Sequence, residues 1–205
     1  IELGGKWSYI VFDDADIDSA IEGLVDAIWF NQGEVCCAGS RLLVHEAIAD
    51  DFHHRLKARM DKLRIGDPLD KSIDVGAIVD PIQLAQIQRL VAANDAGETY
   101  HANTPVPEGC FYPPTLITGL HAADTLMQEE IFGPVLVVIP FENEAELILQ
   151  LESVSEFTAS FANENRIPNL GFDDLTAEIH LLKIESSVLE IDGIRRIAAG
   201  SEIIN

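Results

Sequence analysis

An α/β fold, with a mainly parallel twisted sheet and helices on both faces, is what this sequence predicts, on three observations. Short β-branched and aromatic runs alternate with helical patterns of roughly 10 to 16 residues. Strands separated by helices return through crossovers, which makes neighbouring strands parallel and lays helices over both faces. Hydrophobic residues make up 47% of the 205 positions, enough for one substantial core.

Residues 7–12 (Trp-Ser-Tyr-Ile-Val-Phe) are aromatic and β-branched and read as a buried strand. Asp13, Asp14 and Asp16 follow, acids suited to a helix N-terminus, where they cap free amides and meet the positive end of the dipole. Ile17, Ile21, Leu24, Val25 and Ile28 then recur at helical spacing until Gly33 breaks the pattern. Leu42-Leu43-Val44 is a second strand and 48–63 a second helix. A long polar connection over 64–81 leads to a third helix over 82–93, with Leu84, Ile87, Leu90 and Val91 on one face. A short extended segment covers 112–117, and the turn Glu129-Glu130-Ile131-Phe132-Gly133-Pro134 launches the most apolar strand, 135–140. A helix over 142–151 and a strand over 158–162 complete the clear pattern. Beyond them only a helix over 176–184 and a last strand over 199–205 stand out, with 163–172 the one linker-like stretch. We take 1–205 as a single domain whose segment 163–196 follows no clear pattern. Ligands in such sheets bind beyond the carboxyl ends of the strands, where the Cys36 and 129–134 loops are expected to lie.

The charge balance, 35 acidic against 13 basic residues and a net −22, excludes nucleic acid and anionic membranes as partners. No apolar run approaches the roughly 18 residues of a membrane span. The opening Ile1-Glu2-Leu3-Gly4 has neither an initiator Met nor a basic segment before an apolar one, so it reads as a segment of a longer protein without a secretory signal. Three cysteines make no disulfide framework and suit a reducing, cytoplasmic setting.

The chemistry concentrates at Gly33-Glu34-Val35-Cys36-Cys37-Ala38-Gly39-Ser40-Arg41. A cysteine just past a glycine turn, with small residues behind it, leaves room for a substrate to approach a thiolate. From the residues alone, Cys36 and Cys37 could equally be small buried hydrophobes. Glu2 could be a solvated terminal acid, and Glu130 and Phe132 an ordinary helix-end acid and a core aromatic. Asp50/His53 and Asp51/His54 sit at i, i+3 spacing, which we read as a solvated helix face and not a metal site. Gly66-Asp67-Pro68 lacks the Gly-Lys-Ser/Thr of a phosphate loop.

Three words in this order and spacing, Glu2-Leu3-Gly4-Gly5-Lys6, the Gly33–Arg41 stretch and Glu129-Glu130-Ile131-Phe132-Gly133-Pro134, resemble the catalytic domain of the NAD(P)-dependent aldehyde dehydrogenase superfamily. The resemblance is close over 1–152 and loose beyond. It implies oxidation of a small-molecule aldehyde to a carboxylic acid with NAD or NADP, no metal, and a homo-oligomeric parent. Cys36 would be the nucleophile, passing through a thiohemiacetal and a thioester. Glu2 would be the general base for the hydrolytic water. Glu130 would bind the nicotinamide ribose, Phe132 would pack beside the nicotinamide, and Leu3 and Gly4 would line its pocket. The Cys36 main-chain N–H would be one oxyanion donor.

The sequence departs from the family in several places. The family's nucleotide-binding domain, oligomerisation arm and tail have no counterpart here, and 155–158 lacks the family's aromatic-glycine-leucine word. Glu34 stands where relatives usually carry Gln, and a carboxylate buried beside Cys36 would raise the thiol pKa. Two other functions therefore stay open for the isolated chain: a cofactor-free thiol esterase, and a non-catalytic scaffold or interaction domain.

Overall fold

Alternation of side chains along each strand builds the two cores of this protein. The computed structural model describes residues 6–154. Five strands pair in the order β1-β2-β5-β4-β3: β1 (Ser8–Val11), β2 (Arg41–His45), β3 (Glu98–His101), β4 (Thr115–Thr118) and β5 (Val135–Phe141). All neighbours are parallel except β3, which runs antiparallel to β4. Leu42, Val44, Leu116, Leu136 and Val138 point to one face and pack with helices α1 (Ile17–Trp29) and α2 (Glu46–Met60). Leu43, Ile117, Val135, Val137 and Ile139 point to the other, against α3 (Pro81–Ala92), α4 (Thr125–Gln128) and α5 (Glu144–Val154). The predicted mainly parallel sheet, covered on both faces, is what forms.

Local chemistry explains the helix starts. The Asp16 carboxylate accepts the Ser19 N–H at 2.8 Å, as the acidic run predicts. Asp80 accepts from Ile82 and Gln83 at 2.7 and 2.9 Å, and Pro81 supplies the fixed φ of the first turn.

Four expectations need correction. The first strand is not buried throughout: β1 ends the described sheet, and Trp7 and Ile10 are exposed. Helix α1 stops at Trp29 rather than at Gly33, because Asn31, Gln32 and Gly33 all turn left-handed. Strand β3, unexpected from the sequence, starts after a turn in which the Asn94 amide donates to the Gly97 carbonyl at 2.9 Å. The Cys36 and 129–134 loops lie at the amino ends of the parallel strands, since each runs into its strand (β2 and β5) rather than out of one. Expected elements at 158–162, 176–184 and 199–205, and the linker at 163–172, lie outside the described residues.

Candidate active site

Small residues and left-handed backbone shape the cysteine loop. After Trp29 the chain takes positive φ at Asn31 (48°), Gln32 (58°) and Gly33 (72°). Such conformations are costly for the two non-glycine residues and are kept where surrounding contacts enforce them. Here the Gln32 side chain accepts the Gly76 N–H at 3.1 Å, and the Asn31 amide donates to the Glu34 carbonyl at 3.1 Å. The Ala38 N–H then donates to the Val35 carbonyl at 2.9 Å. Cys36 and Cys37 thus take the two central positions of a tight turn, and both are exposed. The small buried residues are instead Ala38 and Gly39, directly behind the pair. The reading of both cysteines as core hydrophobes is therefore overturned.

Glu34 is only half-buried, and both its carboxylate oxygens accept the Val79 N–H, at 3.1 and 3.2 Å. It is an acceptor for the segment leading into α3, a task the side-chain oxygen of Gln could also perform.

The 129–134 turn abuts this loop. A Cβ placed on Gly33 would collide with the main-chain carbonyls of Gly133 and Ile28, so the two glycine backbones are in direct contact. Beside them the buried Trp29 donates its indole N–H to the Pro134 carbonyl at 3.2 Å. Phe132 also has positive φ (52°), and its ring is exposed rather than in the core. The Gln83 amide holds this strained residue by donating to the Ile131 and Phe132 carbonyls at 3.0 and 2.8 Å. Glu130, next to it, is exposed. Cys36, Glu130 and Phe132 therefore share one end of the sheet. Glu2, Leu3 and Gly4 lie outside the described residues, and the first word enters the described structure only through Lys6.

Two buried cations join the words, and neither was given a role from the sequence. The Lys6 ammonium donates to the Leu126 carbonyl at 2.6 Å and the Glu129 carbonyl at 3.3 Å. The Arg41 guanidinium, at the far end of the cysteine loop, donates to Ser8 Oγ at 3.1 Å, to the Met127 carbonyl at 3.2 Å and to the Lys6 carbonyl. The only signal for them in the sequence is a cation set against an apolar strand. On α2, Asp50, Asp51 and His54 are exposed, as a solvated face requires, and Asp51 pairs with Arg55 at 2.8 Å, but His53 is half-buried and its Nε2 has no partner among the described residues.

Burial, and then the charge of Arg41, push the Lys6 amine down to about 7, against the upward pull of Glu130 and Glu129. Burial also draws Arg41 down to about 10. In the unfolded chain lysine keeps its proton to about 10.5, so between pH 7 and 10 the unfolded state binds more protons than the folded one. Stability is therefore expected to rise with pH across that window, by at most about 1.4 kcal/mol per pH unit. Tyr100, pushed up to about 12 by burial and by its hydrogen bond to Asp61, opposes the rise only above pH 10. Urea midpoints of this chain between pH 7 and 9.5 measure the slope, and Lys6→Met should flatten it.

Comparison with known proteins agrees with this geometry. The aldehyde dehydrogenase family model matches residues 1–157. Betaine aldehyde dehydrogenase of Cereibacter sphaeroides is 35% identical over 176 residues, covering 82% of this chain and 36% of that protein. The crystal structure of an NAD-dependent aldehyde dehydrogenase from Sinorhizobium meliloti superposes with a TM-score of 0.70 at 34% identity, over 74% of this chain and 31% of that one. A betaine aldehyde dehydrogenase from Staphylococcus aureus, solved with NAD+, gives a TM-score of 0.69 at 34% identity, over 74% of this chain and 32% of that one. The chain thus spans about a third of the length of these relatives. Among the described residues no helix is long and apolar enough to cross a membrane. With the cysteine loop and the 129–134 turn meeting at one end of a mainly parallel sheet and a family match over residues 1–157, the chain belongs to the aldehyde dehydrogenase family.

Proposed function

We propose that residues 1–205 form the catalytic portion of an NAD(P)-dependent aldehyde dehydrogenase, oxidising an aldehyde to a carboxylic acid through Cys36. The observation that carries this is the exposed Cys36 at the centre of a tight turn, whose loop is pressed by Gly33 against the Gly133 backbone of the turn bearing Glu130 and Phe132. An exposed carboxylate beside an exposed aromatic ring, fixed by strained backbone, fits the ribose and ring of a nicotinamide. Glu130 would hold the ribose hydroxyls and Phe132 would pack along the ring, with Leu3 and Gly4 lining the same pocket.

The Cys36 thiolate attacks the aldehyde carbonyl carbon, and the C–S bond of a thiohemiacetal forms as the carbonyl π pair moves to oxygen. The Cys36 main-chain N–H, which has no acceptor among the described residues, would donate to that oxyanion. NAD(P), when bound at Glu130 and Phe132, would supply the hydride acceptor, and Cys36 would keep the acyl group as a thioester. Glu2 takes a proton from water, the water oxygen attacks the thioester carbonyl, and the C–S bond breaks to release the acid and restore the thiolate. Three free cysteines suit the reducing cytoplasm.

The test is the covalent intermediate. Acid-quenched turnover with aldehyde and NAD should leave the mass of the acyl group on the peptide containing Cys36, and specifically on that sulfur. An acyl group on Cys37, or none at all, would overturn the assignment.

A further inference from the structure

We propose that Lys6 is a positioning residue for the nicotinamide end of the site, holding the segment that carries Glu130 and Phe132 in fixed relation to the Cys36 loop. The functional half of this inference rests on the proposed activity; the mechanical half rests on geometry alone. Lys6 is the middle link of a chain of contacts. Arg41 closes the cysteine loop and donates to the Lys6 carbonyl, while the Lys6 ammonium donates to the carbonyls of Leu126 and Glu129. Glu129 is one peptide away from Glu130. Arg41 braces the same segment a second time through the Met127 carbonyl.

A purely structural need would be met more cheaply by an uncharged group. A buried ammonium beside a guanidinium is destabilising unless each proton finds an acceptor, and its replacement by an apolar side chain of similar length is often neutral or stabilising. Lys6 is 7% exposed and Arg41 8% exposed; Lys6 carries the penalty while it keeps its proton, below about pH 7, and above that its neutral amine still has two N–H groups for the two carbonyls. In return Lys6 fixes the backbone next to Glu130, whose exposed side chain has no hold of its own in the core, while the buried Ile131 and the Gln83 amide anchor the Phe132 end. An ammonium donates to two carbonyls at once and reaches across from the strand side, which methionine cannot do.

The experiment uses Lys6→Met and Lys6→Arg. In the full-length protein, the KM for NAD is read against NAD-independent hydrolysis of an activated ester at Cys36. Amide hydrogen exchange over 126–133 is followed in this chain. Lys6→Met should raise the KM for NAD by about tenfold or more while leaving ester hydrolysis within about twofold. Lys6→Arg should recover most of that loss. Exchange over 126–133 should speed up in Lys6→Met while β2 stays protected, and urea stability near pH 7 should hold or rise. Parallel losses in both activities with loss of stability would mark a merely structural lysine, and unchanged KM and exchange would refute any hold on the segment. A wild-type protein without NAD-dependent oxidation sinks the functional reading, and the exchange data then still decide whether Lys6 holds the segment.

Discussion

Replacing Cys36 by alanine is expected to lower aldehyde oxidation by about 10⁴-fold or more, since removal of a covalent nucleophile leaves only binding and oxyanion stabilisation. The structure makes this a clean substitution. The side chain is exposed at the centre of a turn closed by the Ala38 N–H and the Val35 carbonyl, so losing the sulfur opens no cavity. Urea stability should stay within about 0.5 kcal/mol of the parent, as for an ordinary surface change. NAD affinity, measured by nicotinamide or protein fluorescence, should survive, because Glu130 and Phe132 sit on another segment. The matching change at Cys37 should leave turnover within a few-fold. Retained turnover in Cys36→Ala, or its loss in Cys37→Ala alone, would move the nucleophile elsewhere.

Gly33→Ala is expected to be the most damaging small substitution for stability, by roughly 3 kcal/mol or more. Two effects add. A residue with a Cβ at φ 72° pays about 1 kcal/mol or more for the left-handed backbone. The added carbon also meets the main-chain carbonyls of Gly133 and Ile28, neither of which can rotate away as a side chain would. Gly119 provides the control. Its φ is 76°, but a Cβ there would find its nearest neighbour at 3.9 Å, so Gly119→Ala should show the backbone penalty alone. Urea midpoints of the two variants separate strain from collision, and equal losses would show that the glycine contact at the site is not tight.

The strands and helices that carry the site were legible because their signals are local. Asp16, last of the acids before Ile17, caps α1, and the apolar run at 135–140 becomes β5 with alternate residues feeding the two cores. Strand β3 was not legible: its ends, Glu98 and His101, are exposed, and only the antiparallel pairing with β4 makes the segment a strand. The end of α1 was misplaced because two of the partners that enforce its three left-handed residues, Gly76 and Gly133, are distant in sequence, and only the Asn31–Glu34 contact is local. At the site, Cys36, Glu130 and Phe132 could be named from motifs. Lys6, Arg41 and Gln83 could not be assigned, since what distinguishes them is which carbonyl each reaches, between 35 and 123 positions away. The Cys36 and 129–134 loops were expected past the carboxyl ends of strands and lie instead at amino ends, because each runs into its strand, β2 or β5.

That placement has a consequence for the polarity of any bound dinucleotide. The cysteine loop follows the C-terminus of α1, where peptide dipoles present partial negative charge, while the carbonyls at the end of the single turn α4 are already taken by Lys6 and Arg41. The nearby start of α3 has already committed amides to Asp80 and Glu34. A diphosphate arriving at this rim would meet repulsion and few free donors, whereas the positively charged ring of oxidised nicotinamide would be welcome.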